Sequence, residues 1–214
     1  MATLADDIAI DLKTLSTRYD GAVLAIGAVA FNRDTGKVLN EFYVEIDINQ
    51  SVRCGHVDGS TVAWWLRQGE VAKAMFTDDS EALKKKIPLG TALHGFTNFV
   101  RSNCNFMVRA WGNGATVDIT LLEHAFVHGG VGLTPPWNYK RIRDLRTLVD
   151  DAEVVGGVRV DLGIGTVGTK HNALDDARWA AEVITAAHKV LTSHSSVKPT
   201  KPTAKKSEVK DDDY

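Results

Sequence analysis

The sequence predicts an α/β fold with a mixed sheet of about five strands flanked by helices. Three runs in the first 50 residues are rich in apolar and β-branched residues, as strands are. The apolar period then changes to that of helices, and strand and helix patterns alternate up to residue 191. Hydrophobic residues make up 44% of the 214 residues and charged residues 24%, which is typical of a globular chain.

The N-terminal part favours three strands, over residues 7–13, 22–32 and 38–47. The segment RDTG at 33–36 is a turn signal, so the second and third strands should form a hairpin. Asp58 or Ser60 can cap the first helix, whose buried stripe should carry Val62, Trp65 and Leu66. Helical periodicity returns over 80–87 and 91–100.

The C-terminal half predicts a buried strand over 106–111 and a short strand over 141–145, separated by a proline break at 134–136. The strongest helical pattern covers 172–191. A further helix between the two strands has its buried positions at helical spacing, namely Leu121, Leu122, Ala125 and Phe126.

We expect one domain over residues 1–193 and a flexible, low-complexity tail over 194–214. The tail is rich in Ser, Thr, Pro and Lys, and it is either a solvated tail or a docking segment for a partner. No apolar run is long enough to span a bilayer, and the first residues lack a basic signal-peptide region. Two scattered cysteines favour a reducing, cytoplasmic location. The net charge of −2 gives no general attraction to nucleic acid, so an anionic substrate needs a local site.

A glycine pattern of the dinucleotide-binding type occurs at 163–168, in the segment GIGTVG. Such a turn belongs early in a βαβαβ unit, whereas only one helix and the tail follow here. We interpret it as a glycine loop that leads into the last helix.

Carboxylates from three distant segments are expected at one edge of the sheet. Asp11 closes the first strand, Asp118 opens the helix after the 106–111 strand, and Asp175 and Asp176 lie in the first turns of the last helix. In an open α/β sheet these positions share the edge where ligands bind, and carboxylates are the ligands that Mg²⁺ prefers. Helix capping is the alternative explanation for each aspartate alone. His171, five residues before Asp176, can serve as a general base on a water molecule.

These residues carry a resemblance to a known family. The segments DLK (11–13), WGNGATVD (111–118) and HNALDD (171–176) resemble the motifs of the DEDDh 3′–5′ exonucleases. The segments TVAWWL (61–66), PPWN (135–138) and RDLRT (143–147) are similar to those of the bacterial and phage ribonuclease T and exonuclease VIII-like group. The resemblance covers about residues 6–190.

The resemblance implies a ribonuclease H-like fold, two Mg²⁺ or Mn²⁺ ions, and hydrolysis of single-stranded or 3′-overhanging DNA or RNA from its 3′ end. It implies that Asp11, Asp118 and Asp176 bind the metals and that His171 accepts the proton of the attacking water. It also implies a homodimer. Substrate contacts are expected from Trp64, Trp65, Asn113 and Lys170. Trp64 should be the freer of the two indoles and can stack on a base, although packing of both in the core is the alternative.

Lys13 departs from the family pattern, which has Asp-x-Glu where this chain has Asp11-Leu12-Lys13. Residues 11 and 13 of a strand lie on the same face, so an ammonium should replace a bridging carboxylate in the site. We expect this ammonium to pair with at least one of Asp11, Asp118 and Asp176, and metal affinity and turnover to fall. The alternative to an impaired exonuclease is a catalytically inactive nucleic-acid-binding or protein-interaction module on the same fold.

Overall fold

The computed structural model describes residues 3–76, 86–129 and 132–194. The strands are β1 (Ala5–Thr14), β2 (Val23–Asn32), β3 (Lys37–Glu45), β4 (Cys104–Gly112) and β5 (Ile142–Asp144). The helices are α1 (Ile48–Cys54), α2 (Gly59–Trp65), α3 (Glu70–Lys73), α4 (Leu89–Asn103), α5 (Asp118–His128), α6 (Leu145–Gly156), α7 (Val160–Gly163) and α8 (Ala173–Ser193). Short 3₁₀ turns occupy Ala74–Phe76 and Tyr139–Arg141.

The five strands form one mixed sheet in the order β3-β2-β1-β4-β5. β2 and β3 are an antiparallel hairpin, β1 pairs antiparallel with β2, and β1, β4 and β5 run parallel. The predicted α/β class, the hairpin and the central place of the first strand are therefore confirmed. The parallel pairing brings the carboxyl ends of β1 and β4 to the same edge of the sheet.

Both faces of the central strand are buried, which explains why β1 is apolar at nearly every position. Ile8 and Ile10 pack on one face against α4 and α5, where Phe96 and Phe126 lie in the same core cluster. Ala9 packs on the other face, in a second cluster with residues of α6 and α8 that include Ile184. A helix layer on each side protects the sheet from water, as parallel strands require.

Gly27 of β2 determines how closely α8 approaches the sheet. A Cβ atom at this position would lie 2.2 Å from the backbone carbonyl carbon of Ala173, the first residue of α8. Gly27 is the register partner of Asp11 on β1. The missing side chain therefore seats the amino end of α8 next to Asp11.

Several expectations need correction. Leu66 does not belong to the buried stripe of α2: it caps the helix and is 61% exposed, because the helix ends at Trp65. The 106–111 strand is not buried throughout, since Phe106 is 88% exposed where β5 is too short to cover β4. The helix predicted over 80–87 falls mostly outside the described residues, and Ile87 forms a β-bridge with Ile46.

The glycine segment at 163–168 is a loop that follows α7 and leads toward α8, as interpreted from the sequence. Asp58 is the cap of α2, where its side chain accepts hydrogen bonds from the backbone N–H groups of Ser60 and Thr61. Asn172 caps α8 in the same way through Leu174 and Asp175. The caps place both helix starts beside the carboxyl end of β1.

Candidate active site

Three aspartates from three segments meet at the carboxyl end of β1. Asp11 lies on the face of β1 that packs toward α8. Asp118 is the first residue of α5, and its Oδ1 accepts a hydrogen bond of 3.4 Å from the backbone N–H of Leu12. Asp176 lies in the first turn of α8. The strand end and the two helix starts thus put three carboxylates around one point.

Lys13 occupies that point. Its ammonium donates to Asp11 Oδ2 at 2.5 Å and to Asp176 Oδ2 at 2.6 Å, and the residue is only 7% exposed. The pairing expected from strand geometry is therefore present, with two aspartates at once. Ionic hydrogen bonds of this length in a dry pocket are among the strong ones, so the cation is held firmly between the carboxylates.

The ionisation of the cluster reflects burial and mutual charge. Burial raises the pKa of Asp11 to about 8 against the opposing charge of Lys13, and it raises the pKa of Asp118 to about 6. Burial alone lowers the pKa of Lys13, but the charges of Asp11 and Asp176 more than offset this, so its pKa is raised. Lys13 consequently stays an ammonium at neutral pH.

Asp175 and Asp176 have separate tasks. Asp175 turns away from the cluster: its Oδ1 pairs with Arg178 at 2.6 Å and its Oδ2 accepts from the backbone N–H of Thr169 at 2.8 Å. Arg178 also reaches Glu41 of β3 at 2.6 Å. Asp175 therefore holds the loop before α8, while Asp176 faces Lys13.

His171 lies at the rim of the cluster in a left-handed backbone conformation, with φ of 70°. Its ring packs edge-on against the indole of Trp64, with ring centroids 5.1 Å apart, and lies 6.1 Å from Trp65. Burial, followed by the charge of Lys13, lowers the pKa of His171. The imidazole is therefore neutral at neutral pH and able to accept a proton.

The tandem tryptophans divide between core and cavity. Trp65 is 3% exposed, and its Nε1 donates to the Thr14 carbonyl oxygen at 2.9 Å. Trp64 is 39% exposed. It borders a cavity of about 540 Å³ that Lys13 and His171 also line. The cavity has room for a nucleotide beside the acidic cluster, with a free aromatic face on its wall.

Asn113 and Lys170 lie on either side of the cluster. Asn113 is half-buried in the turn between β4 and α5, and its backbone lowers the pKa of Asp118 against the effect of burial. Lys170 is exposed and lines a second cavity of about 400 Å³ next to His171.

Sequence reasoning missed Arg67, which lines the larger cavity with Trp64. Its signal was its position three residues after Trp64, on the same side of a helical turn. Thr17 was missed as well, and it carries no motif that marks it.

The residues as placed do not fit a metal centre of the implied type. The Lys13 ammonium stands between two of the carboxylates that would be ligands, and it cannot coordinate a cation while protonated. Within residues 3–76, 86–129 and 132–194, no three His, Cys, Asp or Glu side chains are arranged to hold an ion. The obstacle is the charge and position of Lys13, since the aspartates themselves are present.

The fold is shared with solved nuclease structures. It is similar to Pop2p of S. pombe in its Mg²⁺- and Mn²⁺-bound form, with a TM-score of 0.57 at 11% identity over 90% of this chain and 86% of that one. It is similar to the nuclease domain of 3′hExo, a DEDDh family member bound to rAMP, with a TM-score of 0.53 at 12% identity over 91% and 96% of the two chains. The cell-death related nuclease CRN-4 gives a TM-score of 0.63 at 11% identity over 86% of this chain and 64% of that one.

The sheet order and the helix layers define a ribonuclease H-like protein of the DEDDh exonuclease class. Residues 6–188 match the family described as the 3′–5′ exoribonuclease Rv2179c-like domain, and the chain belongs to this family. Membership places it among the 3′–5′ exonucleases, which are phosphodiester hydrolases. No curated protein sequence matches the chain. None of the helices in the described ranges has the length and apolar character needed to cross a membrane.

Proposed function

We propose that the chain acts at the 3′ end of single-stranded RNA, and that its catalytic activity is impaired by Lys13. The observation that carries the proposal is the convergence of Asp11, Asp118 and Asp176 beside His171 and an open cavity. RNA is favoured over DNA by the description of the family as exoribonucleases. It is also favoured by the solved neighbours, of which one is bound to rAMP and another recognises a histone mRNA stem-loop.

The cavity next to the cluster suits the last nucleotide of a strand. Trp64 offers an indole face on which any base can stack, and such stacking contributes about 1–3 kcal/mol per base. Lys170 is placed to meet a phosphate on the other side of His171, and Asn113 lies in the turn that carries Asp118. Trp65 supports this wall from the core through its bond to Thr14. No contact here reads a base edge, which agrees with release of any nucleotide.

His171 is the proton acceptor of the proposal. The neutral imidazole lies at the rim of the acidic cluster and faces the cavity that the nucleotide would enter. It can take a proton from a water molecule that attacks the terminal phosphodiester. In the chain as it stands the edge-on contact with Trp64 holds the ring, and a base that stacks on Trp64 would compete for the same surface.

The family's metals, Mg²⁺ or Mn²⁺, are proposed for this site only once Lys13 is replaced. Pop2p has been solved with both ions. Here the Lys13 ammonium neutralises part of the carboxylate charge that would attract a divalent cation. We therefore derive no step of hydrolysis through a metal in the unaltered chain.

A second candidate is favoured by the same lysine. A pocket neutralised from within can bind the 3′ end of a strand without cleaving it, as a nucleic-acid-binding module does, or the fold can serve in a protein complex. His171 argues for the enzyme, because a site used for binding alone has no need of a proton acceptor at its rim.

The decisive experiment compares the chain with Lys13→Glu and Lys13→Ala on 3′- and 5′-labelled RNA and DNA oligonucleotides in Mn²⁺. We expect Lys13→Glu to release 3′ nucleotides at least about 100-fold faster than the unaltered chain, equivalent to about 2.7 kcal/mol of barrier. Lys13→Ala should stay slow, because it removes the cation without supplying the carboxylate.

His171→Ala combined with Lys13→Glu is the matched control and should lose the gained rate. Equal rates for the unaltered chain and Lys13→Glu would overturn the assignment of Lys13. Binding with no cleavage by any variant would favour the non-hydrolytic module.

The homodimer and the cytoplasmic location remain predictions. The dimer is tested by light scattering at high protein concentration, where a mass of one chain would remove it. Fractionation of cells that express the chain would test the location.

A further inference from the structure

A second group of charged side chains lies at the opposite end of the sheet from the acidic cluster. Arg33 follows β2, Arg109 belongs to β4 and Arg143 to β5, and we call these three residues the distal arginine cluster. The register aligns Asp7 of β1 with Arg109, and Trp111 with Arg143, so these side chains share one face of the sheet. Asp7 precedes Asp11 by four residues, or about 13 Å of strand.

Asp7 commits its charge to one of the three arginines. It is fully buried, and its two oxygens accept from Arg109 Nε at 2.6 Å and from Arg109 Nη2 at 2.5 Å. The indole Nε1 of Trp111 donates to the same carboxylate at 2.8 Å. This two-pronged pair balances Arg109 and fixes its guanidinium, and it leaves no Asp7 oxygen for Arg33 or Arg143.

Arg33 lacks such a partner. Its Nε is buried and has no hydrogen-bond acceptor in the described part of the chain, and the Asp34 Oδ1 atom lies 3.9 Å away. That Asp34 oxygen instead contacts His188 Nε2 at 2.8 Å. Leaving a buried donor unpaired costs about 1–3 kcal/mol, so an acceptor that reaches Arg33 would be favoured.

Arg143 is satisfied only by neutral groups. Its Nη1 donates to the backbone carbonyl oxygens of Lys140 at 3.0 Å and Ile142 at 2.7 Å, which leaves its charge uncompensated. Burial, followed by the charge of Arg109 and with a contribution from Arg143, lowers the pKa of Arg33. The guanidinium of Arg33 thus lies in surroundings that are short of negative charge.

We propose that the distal arginine cluster is a second binding site of this protein, which takes a phosphate group between Arg33 and Arg143. The Asp7–Arg109 pair forms its floor. Planar guanidinium groups with free N–H donors match the oxygens of phosphate in geometry and charge. The phosphate can belong to the backbone of a bound strand or to a free phosphate or nucleotide.

The other titratable groups facing the site do not cancel it. Asp34 is the exposed carboxylate nearby and is engaged by His188. Burial, followed by the charge of Arg33, lowers the pKa of His188, so this imidazole is neutral at neutral pH. Two of the three guanidinium charges therefore face one exposed carboxylate.

The test measures binding of inorganic phosphate by isothermal titration calorimetry, in EDTA so that no metal contributes. The full-length chain is compared with Arg33→Gln/Arg143→Gln, and Arg53→Gln/Arg101→Gln removes two exposed arginines elsewhere as the matched control. We expect at least about a 10-fold loss of phosphate affinity in the first double variant and no change in the control. Without a metal the acidic cluster repels phosphate, so it does not mask the result.

A second arm identifies the source of the phosphate. If the site holds a strand, the double variant weakens binding of a 20-nucleotide RNA at least about 10-fold but leaves a trinucleotide, which fills only the catalytic cavity, unchanged. If the site holds a free nucleotide, only the affinity for phosphate and nucleotides falls.

Equal phosphate affinity of the unaltered chain and the double variant would overturn the proposal. So would an equal loss in the control. Thermal unfolding of each variant in phosphate-free buffer separates loss of binding from loss of folding, since removing an uncompensated charge at Arg33 should not lower the melting temperature. The assay involves no turnover, so its outcome is independent of whether the exonuclease proposal holds.

Discussion

Replacing Lys13 by glutamate should exchange an internal cation for dependence on a metal. The ammonium lies 2.5 Å from Asp11 Oδ2 and 2.6 Å from Asp176 Oδ2 in a nearly dry pocket. At an effective dielectric constant of about 20, each such contact is worth about 6 kcal/mol before the cost of desolvation. Breaking buried ion pairs by removing one partner costs about 3–5 kcal/mol of stability in practice.

We therefore expect Lys13→Glu to lose about 3–5 kcal/mol of unfolding free energy in EDTA, because a fourth carboxylate joins three that have lost their cation. For a domain of this length the melting temperature should fall by about 6–20 °C. Mn²⁺ at 100 times its dissociation constant should restore about 2.7 kcal/mol in the variant. The unaltered chain should gain almost nothing from Mn²⁺, since Lys13 holds the place of the ion.

The assay is thermal unfolding followed by circular dichroism, with and without Mn²⁺. Lys189→Glu makes the same change of charge at an exposed position of α8 and should stay within about 0.5 kcal/mol of the unaltered chain. The reasoning is refuted if Lys13→Glu is as stable as the unaltered chain in EDTA. It is also refuted if Mn²⁺ raises both melting temperatures equally.

Three further changes test other parts of the site. Trp64→Ala should weaken binding of a single-stranded oligonucleotide about 10-fold or more, measured by fluorescence anisotropy, with little loss of stability; Trp65→Ala should instead cost about 3–5 kcal/mol in chemical unfolding. Gly27→Ala should destabilise by about 3 kcal/mol, because the new Cβ would overlap the backbone at the start of α8; a crystal structure with α8 unmoved would contradict this. Asp144→Ala should cost about 2 kcal/mol at pH 7, since the carboxylate accepts from Thr147 N at 3.0 Å and from Ala115 N at 2.7 Å. Burial alone raises the pKa of Asp144, but these N–H groups more than offset it, so its pKa is lowered. Its stabilisation is therefore complete above the ordinary value of 3.8 and disappears as pH falls through the lowered value, and unfolding of Asp144→Ala that stays equally deficient at pH 3 would refute the assignment.

Local patterns predicted most of the sheet and its helices. The apolar runs of β1 and β2 and the turn between β2 and β3 specify their elements through side-chain period and turn chemistry, which neighbouring residues alone determine. Leu66 and Phe106 were misplaced because burial depends on where a helix ends and how far a neighbouring strand extends. Neither quantity is written in the local pattern.

The candidate site was predictable where residues have a fixed relation along the chain. Asp11 and Lys13 lie two apart on a strand, so their shared face follows from strand geometry alone. The motifs identified Asp118, His171 and Asp176 as candidates through resemblance. The choice between Asp175 and Asp176 was settled in space, where Arg178 and Thr169 N engage the first and Lys13 engages the second.

The sequence by itself determined the α/β class, the order of the strands along the chain, and the presence of a cation among the acidic residues of one strand end. Only the tertiary structure decided that this ammonium bridges Asp11 and Asp176, that Trp64 keeps an open face, and that Arg33 lacks a partner at the far end of the sheet. The physical reason is that charge pairing and burial depend on distances between segments more than 100 residues apart. Those distances are set by close approaches such as that of α8 to Gly27, which no local pattern encodes.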